Sequence, residues 1–366
     1  MRNFTFLIFV VMTFICWGLY GPVLHVGQET LGGGHGQKSL LRPLICVGFA
    51  YFLIAVIFPM VVLKTKGEKG AWSVSGFILS FVAGAVGAIG ALGIVLAFKF
   101  GGKPFYVMPL VFGLAPIINT LVTMLMGRTF KQASVPFYLG IVIVAIGAAG
   151  VLYNKPKPVK TVGEEIAAVA DEIVVEAGVS LPPTRADGTN PLWIGLSIAL
   201  TALCWGAYGP VLHKGQAKMQ GSRLRPFLCV GLAYFVIAVV APLFMLGVLE
   251  DPGSFDNLSG IAWSFAAGAT GAIGALGIIY AFNFGGKPLY VMPLVFGFAP
   301  VVNTFYEIAT KNLYGHVPQL FFVSLAMVIL GAVMVLVLAP RKKPAPAVTT
   351  NSVSYTHLTL PTICSV

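Results

Sequence analysis

The feature that most constrains this chain is a series of ten long apolar runs. A helix needs about 20 apolar residues to cross a bilayer. The runs lie near 4–24, 43–63, 72–98, 104–126, 136–153, 191–212, 226–248, 260–283, 288–310 and 318–339. Of the 366 residues, 57% are hydrophobic and 10% are charged, whereas soluble domains are about 25% charged. The sequence therefore predicts an all-α integral membrane protein with ten transmembrane helices.

The two halves of the chain repeat one another. Residues 16–28 match 204–216 at 11 of 13 positions, 41–59 match 224–242 at 13 of 19, and 84–120 match 268–304 at 29 of 37. Because each half carries five spans, an odd number, the second half must enter the membrane from the opposite side. The sequence thus predicts two inverted-topology five-helix repeats, which in secondary transporters place the solute site near the midplane between the halves.

The repeat also sets the expected domain boundaries. We expect a first repeat over 1–153, a polar linker with a short amphipathic helix over 154–190, a second repeat over 191–340 and a disordered tail over 341–366. Within the tail, 353–366 looks like a translated sequencing adaptor, and we expect it to carry no function.

The net charge of +11 arises from Lys and Arg residues scattered between the apolar runs. This pattern is typical of membrane flanks and not of a basic stripe that binds nucleic acid. Lys and Arg are more numerous on the side of the two termini, which predicts that both termini are cytoplasmic. We expect the membrane to be the bacterial cytoplasmic (inner) membrane. The expected partners are the lipid bilayer and a small-molecule substrate, not nucleic acid, and the sequence leaves a homodimer open.

An aromatic motif begins each half. Trp17 and Tyr20 lie on one face of the first span, and Trp205 and Tyr208 repeat them in the second half, each pair followed by a proline that should kink its helix. A Trp/Tyr pair can stack on a planar or sugar-like ligand. The alternative is an aromatic belt at the membrane interface. Retention of the motif in both halves favours a substrate-binding role.

A second motif, GGKPxYVMPLVFGxAP, occurs at 101–116 and 285–300. Spans interrupted by Gly and Pro at matching places in two halves are the best sequence indication of a transporter's binding site. The substrate-binding candidates on these spans are Phe112, Pro116, Asn119, Phe296, Pro300 and Asn303. For each Asn, a hydrogen bond between helices is an equal alternative. Glycines that recur every third residue from Gly84 and from Gly268 predict close helix packing.

The candidates for gating or ion coupling are His25, His213 and Glu307. The two histidines end the first span of each half, where capping or packing is the alternative role. Glu307 is the only carboxylate within a span and should lie near the membrane surface, where burying its charge costs little. We therefore expect transport that does not depend on a buried acid. No nucleophile–base pair, metal-ligand spacing or cofactor motif stands out, so we expect neither an enzyme, a metal site nor a cofactor.

With these motifs, the chain resembles the drug/metabolite transporter superfamily and, more narrowly, an EamA-like transporter. The resemblance covers about 1–340 and depends on the architecture, on Trp-Gly at 17–18 and 205–206, and on Ala-Pro at 115–116 and 299–300. It implies a secondary, non-ATP permease that moves a small metabolite by alternating access. The alternative is a non-transporting polytopic sensor or scaffold.

Overall fold

The structure is a computed structural model that describes residues 5–33, 37–156, 189–248, 250–284 and 288–340. Within these ranges the chain forms helices and no strand. The predicted linker helix and the C-terminal tail lie outside the described residues.

Ten helical segments follow one another in the described residues. They are α1 (Thr5–Leu31), α2 (Leu41–Thr65), α3 (Val74–Lys99), α4 (Pro104–Gly127), α5 (Val135–Tyr153), α6 (Pro191–Lys218), α7 (Leu224–Leu246), α8 (Leu258–Asn283), α9 (Pro288–Thr310) and α10 (Gln319–Val337). Nine of them are long and apolar enough to cross a membrane, and α9 contributes a shorter apolar helix, Leu294–Thr310. The prediction of an all-helical integral membrane protein is thereby confirmed.

The first helix of each half is longer than its apolar run. Helix α1 ends at Leu31 and α6 at Lys218, each about two turns beyond the predicted end, and both continue through the proline of the aromatic motif. An apolar run marks the part of a helix that lies in hydrocarbon, while the helix continues for as long as its polar side chains find partners. In α1 the Gln28 side chain finds such a partner: its amide nitrogen donates to the carbonyl oxygen of Val95 at 3.0 Å.

Helices α2 and α7 each contain a π-helical stretch that the sequence analysis did not predict. The stretches are Phe52–Ile57 and Val236–Val240, and each lies just before a proline, Pro59 or Pro242. A proline cannot donate to the carbonyl one turn earlier, and its ring clashes there. A wider π turn accommodates this defect without ending the helix.

The predicted glycine stripes are helix-packing surfaces. A Cβ atom on Gly90 of α3 would lie 2.3 Å from Cδ1 of Trp205 in α6, and one on Gly274 of α8 would lie 2.3 Å from Cδ1 of Trp17 in α1. No real side chain fits at that distance, so only glycine lets these helices approach. The predicted packing role is confirmed, and it joins the first helix of each half to the other half.

Two carboxylates at matching positions of the repeat join the halves outside the helices. Asp251, in the loop before α8, accepts from the backbone nitrogens of Leu40 and Leu41 at 2.7 and 3.1 Å. Glu68, in the loop before α3, accepts from the backbone nitrogens of Arg223 and Leu224 at 3.0 and 3.2 Å. Each carboxylate thus caps the amino-terminal end of a helix in the opposite half, where an anion is favoured.

Candidate functional site

Aromatic side chains from both halves meet between the helices. This aromatic cluster consists of Trp17, Tyr20, Tyr51, Phe112, Trp205, Tyr208, Tyr234 and Phe296. Its rings form a chain of contacts: the ring centroids are 5.9 Å apart for Tyr20 and Trp205, 6.4 Å for Trp205 and Phe112, 6.3 Å for Phe112 and Phe296, and 6.3 Å for Phe296 and Trp17. The structure therefore brings together candidates from both predicted motifs.

Two members of the aromatic cluster, Tyr51 and Tyr234, were missed by the sequence analysis. They stack with ring centroids 3.8 Å apart and an interplanar angle of 4°. Tyr208 lies beside them, because a Cβ atom on Gly87 would touch both Tyr234 and Tyr208. The signal was present in the sequence: both tyrosines occupy matching positions in blocks 41–59 and 224–242.

The two tryptophans are fixed by their indole nitrogens. Trp17 donates to the carbonyl oxygen of Gly271 at 3.2 Å, and Trp205 donates to that of Gly87 at 3.2 Å. A buried indole N–H needs such a partner. Since the polar atom of each indole is already bonded to backbone, the tryptophans present carbon surface to the aromatic cluster.

Tyr20 differs from the tryptophans because its polar atom has no partner. The residue is 4% exposed, and its hydroxyl makes no hydrogen bond among the described residues. Leaving a buried hydroxyl unsatisfied costs about 1–3 kcal/mol. The Tyr20 hydroxyl is therefore an unsatisfied donor and acceptor in a group of rings that also carries the hydroxyls of Tyr51, Tyr208 and Tyr234.

The expected breaks at Pro116 and Pro300 do not occur, since α4 and α9 are helical through both residues. The helices are nevertheless closely packed next to both prolines. A Cβ atom on Gly206 would lie 2.8 Å from the carbonyl oxygen of Ala115, and one on Gly18 would lie 2.7 Å from that of Ala299. The residues before the two prolines thus touch the first helix of the opposite half.

The two asparagines have different surroundings. Asn303 is buried, and its amide nitrogen donates to the carbonyl oxygen of Pro104 at 3.0 Å, while its amide oxygen has no partner among the described residues. Asn119 is half-buried and lies against Gly209 of α6. Asn303 therefore makes the helix-to-helix bond that was the alternative to ligand contact, and it ties α9 to the start of α4.

The two histidines also have different surroundings. His25 is 2% exposed, and its Nε2 lies 3.0 Å from Nζ of Lys38, which donates at 3.0 Å to the carbonyl oxygen of Phe98. His213, the equivalent residue, is exposed. At the position that matches Lys38 the second half has Gly221. We call these two places the His25 end and the His213 end.

Glu307 lies at the last turn of α9 and is more buried than its position in the sequence predicts. It is 2% exposed and forms an ion pair with Lys311 one turn later, with 2.8 Å between Nζ and the carboxylate oxygen. A buried carboxylate is tolerated when it is paired in this way. Its charge is therefore neutralised within its own helix end.

The described residues contain no group of three His, Cys, Asp or Glu side chains that could hold a metal ion. The four described cysteines are free thiols.

No protein-family model matches the chain, and no curated protein matches it.

Proposed function

We propose that the chain is a secondary, non-ATP membrane transporter that moves a small metabolite by alternating access of two inverted five-helix repeats. The proposal includes α9 as a tenth span, membership of the drug/metabolite transporter superfamily as an EamA-like permease, and a place in the bacterial cytoplasmic membrane. Three observations support it: the helix directions, the unequal ends and the aromatic cluster.

The helix directions support the inverted repeats. Gln28, near the end of α1, bonds to Val95, near the end of α3, so α1 and α3 run the same way. Asn190, just before α6, donates from its backbone nitrogen to the carbonyl oxygen of Phe100, just after α3, at 3.0 Å. Helix α6 therefore starts where α3 ends, and α1 and α6 run in opposite directions.

The single observation that carries the proposal is that one repeated motif has two environments. At the His25 end, Gly21 of α1 packs against Met108 of α4 and His25 is buried. At the His213 end, Gly209 lies against Asn119 and His213 is exposed. With opposed helix directions, these ends face opposite sides of the membrane. One end closed and the other accessible is what a transporter presents in one of its two access states.

In this proposal the aromatic cluster receives the solute near the midplane, and α4 and α9 line its path. His25 and His213 belong to the gates at the two ends. The Glu307–Lys311 ion pair strengthens the closed His25 end and does not carry protons. If both termini are cytoplasmic, the accessible His213 end faces the cytoplasm, because α1 starts at that end.

Transport should depend on separation of Gly21 from Met108. In a chain whose native cysteines have been replaced, Gly21→Cys and Met108→Cys would form a disulfide that holds the His25 end closed. Purified protein in liposomes would be tested for uptake of labelled sugars, nucleosides, amino acids and organic acids without ATP. We expect uptake of at least one solute by the reduced protein and none by the oxidised protein.

The matched control is Trp205→Ala in the same chain, which removes a ring from the aromatic cluster and should abolish uptake even under reducing conditions. A folded, reduced protein that takes up no solute of any of these classes contradicts the proposal. That outcome favours the alternative, a non-transporting sensor or scaffold.

A further inference from the structure

The charges of the described residues avoid the aromatic cluster. Every described Lys, Arg, Asp and Glu lies in a loop, in the first turn of a helix or in its last two turns. Both ends of the proposed path carry charged side chains: the pairs Lys38–Glu29 and Lys311–Glu307 at the His25 end, and Lys214 and Lys218 at the His213 end. A solute at the aromatic cluster therefore has no counter-ion beside it.

The lack of a counter-ion sets the charge of the solute. Moving an isolated carboxylate, phosphate or ammonium group from water into an apolar site is strongly unfavourable unless it is paired. Aromatic faces can offset part of this cost for a cation. However, Tyr51 and Tyr234 stack with their faces on one another, and none of the described carboxylates lies beside the aromatic cluster to pair with a cation. These surroundings favour an uncharged solute.

Tyr20 requires that the solute carry a polar group. Among the described residues its buried hydroxyl has no partner, while both tryptophan N–H groups are bonded to backbone. A solute that offers a hydroxyl or carbonyl group at its edge satisfies Tyr20, and a flat or apolar face covers the carbon surface of Trp205, which lies 5.9 Å from Tyr20 between ring centroids.

We infer that the transported solute is an uncharged ring compound with one apolar face and hydroxyl groups at its edge, held by a hydrogen bond from the Tyr20 hydroxyl. Sugars and nucleosides share this chemistry. The inference rests on the proposed function and specifies its solute.

Matched pairs of neutral and charged probes test the inference. Thermal unfolding of the detergent-purified full chain would be followed with glucose against glucuronate and glucosamine, and with uridine against uridine monophosphate, each at tens of millimolar. A ligand that binds the folded state raises its unfolding temperature. We expect glucose or uridine to raise the unfolding temperature and their charged counterparts to leave it unchanged. A rise with glucose would indicate a sugar as the solute, and a rise with uridine would indicate a nucleoside.

Tyr20→Phe removes one oxygen and keeps the ring. We expect it to weaken the apparent affinity for the active neutral probe about three- to tenfold, the loss of one hydrogen bond. Tyr138→Phe is the matched control, because Tyr138 lies exposed on the outside of α5, and it should leave the affinity unchanged.

The inference is overturned if a charged probe stabilises the protein as much as its neutral counterpart, if Tyr20→Phe binds as well as the parent chain, or if neither neutral probe acts. Failure of the transporter proposal is a separate outcome. The protein could take up a charged solute, and this uptake could stop when the Gly21→Cys and Met108→Cys pair is oxidised. That result would contradict this inference but would support the transporter proposal.

Discussion

Tyr51 and Tyr234 occupy the same position in the two halves of the chain, and they stack face to face with ring centroids 3.8 Å apart. A residue that contacts its own counterpart lies where two equivalent surfaces meet. Helices α2 and α7 therefore touch at matching residues. The neighbouring contacts follow the same rule, since Gly48 packs against Val239 and Gly231 against Val56.

The Tyr51–Tyr234 stack should contribute energy that neither residue has alone. We expect Tyr51→Leu and Tyr234→Leu to destabilise the protein, and the double variant to lose about 0.5–1.5 kcal/mol less than the sum of the two. Unfolding of the two single variants and the double variant in detergent measures this coupling. Tyr138→Leu combined with Tyr51→Leu should be additive.

Gly90→Ala should be far more harmful than Gly195→Ala, although both replace a helical glycine. A Cβ atom at Gly90 would overlap the Trp205 ring, whereas one at Gly195 meets nothing within 4 Å. Forcing an extra methyl into a packed interface costs about 1–3 kcal/mol, and removing glycine from a helix gains about 0.5–1 kcal/mol. The unfolding temperature should fall for Gly90→Ala and hold or rise for Gly195→Ala. Equal effects would contradict the packing assigned to α3 and α6.

The two carboxylate caps should differ in strength because they differ in burial. The side chain of Asp251 is 2% exposed and pairs with Arg42 at 3.1 Å, while that of Glu68 is 20% exposed and pairs with Arg225 at 3.7 Å. Breaking a buried pair from one side costs about 3–5 kcal/mol. We expect Asp251→Asn to approach that loss and Glu68→Gln to lose clearly less, as measured by unfolding. The reverse order would show that burial does not decide the strength of these caps.

The stability of the protein should rise with pH through Lys38. Burial, together with the positive charges of Lys103 and Lys311, lowers the pKa of Lys38 to about 8, while Glu29 opposes the shift. His25, 3.0 Å away, and Glu29, 3.8 Å away, are titratable groups in contact with Lys38.

Between pH 8 and the ordinary lysine pKa near 10.5, the unfolded chain binds more protons at Lys38 than the folded chain does. Stability therefore rises with pH in this window. The difference in unfolding temperature between the parent chain and Lys38→Met should increase in favour of the parent chain from pH 8 to pH 10.5. A difference that is constant with pH would contradict the pKa of Lys38.

The sequence predicted the helices well because hydrocarbon demands long apolar runs. It singled out Trp17, Tyr20, Trp205 and Tyr208 of the aromatic cluster because the repeat marks them twice. It missed contacts that depend on three-dimensional proximity. The caps by Glu68 and Asp251 join residues more than 150 positions apart, and the only sequence signal was that both carboxylates fall at matching positions.

The unequal ends could not have been predicted from a repeated motif, because identical residues at His25 and His213 predict identical environments. In the structure they differ in Lys38, which contacts His25 and has no counterpart in the second half. The helix breaks expected at Pro116 and Pro300 are absent, and the reason is local. A proline removes one hydrogen bond, and neighbouring helices support the backbone around it.

The most direct test of alternating access needs no solute. In the chain with native cysteines replaced, His25→Cys and His213→Cys would each be labelled with a membrane-impermeant maleimide, with and without the Gly21–Met108 disulfide. We predict rapid labelling at His213→Cys in both forms, slow but complete labelling at His25→Cys in the unlocked form, and none there in the locked form. Labelling of His25→Cys that is absent from both forms, or equally fast in both, would contradict the account.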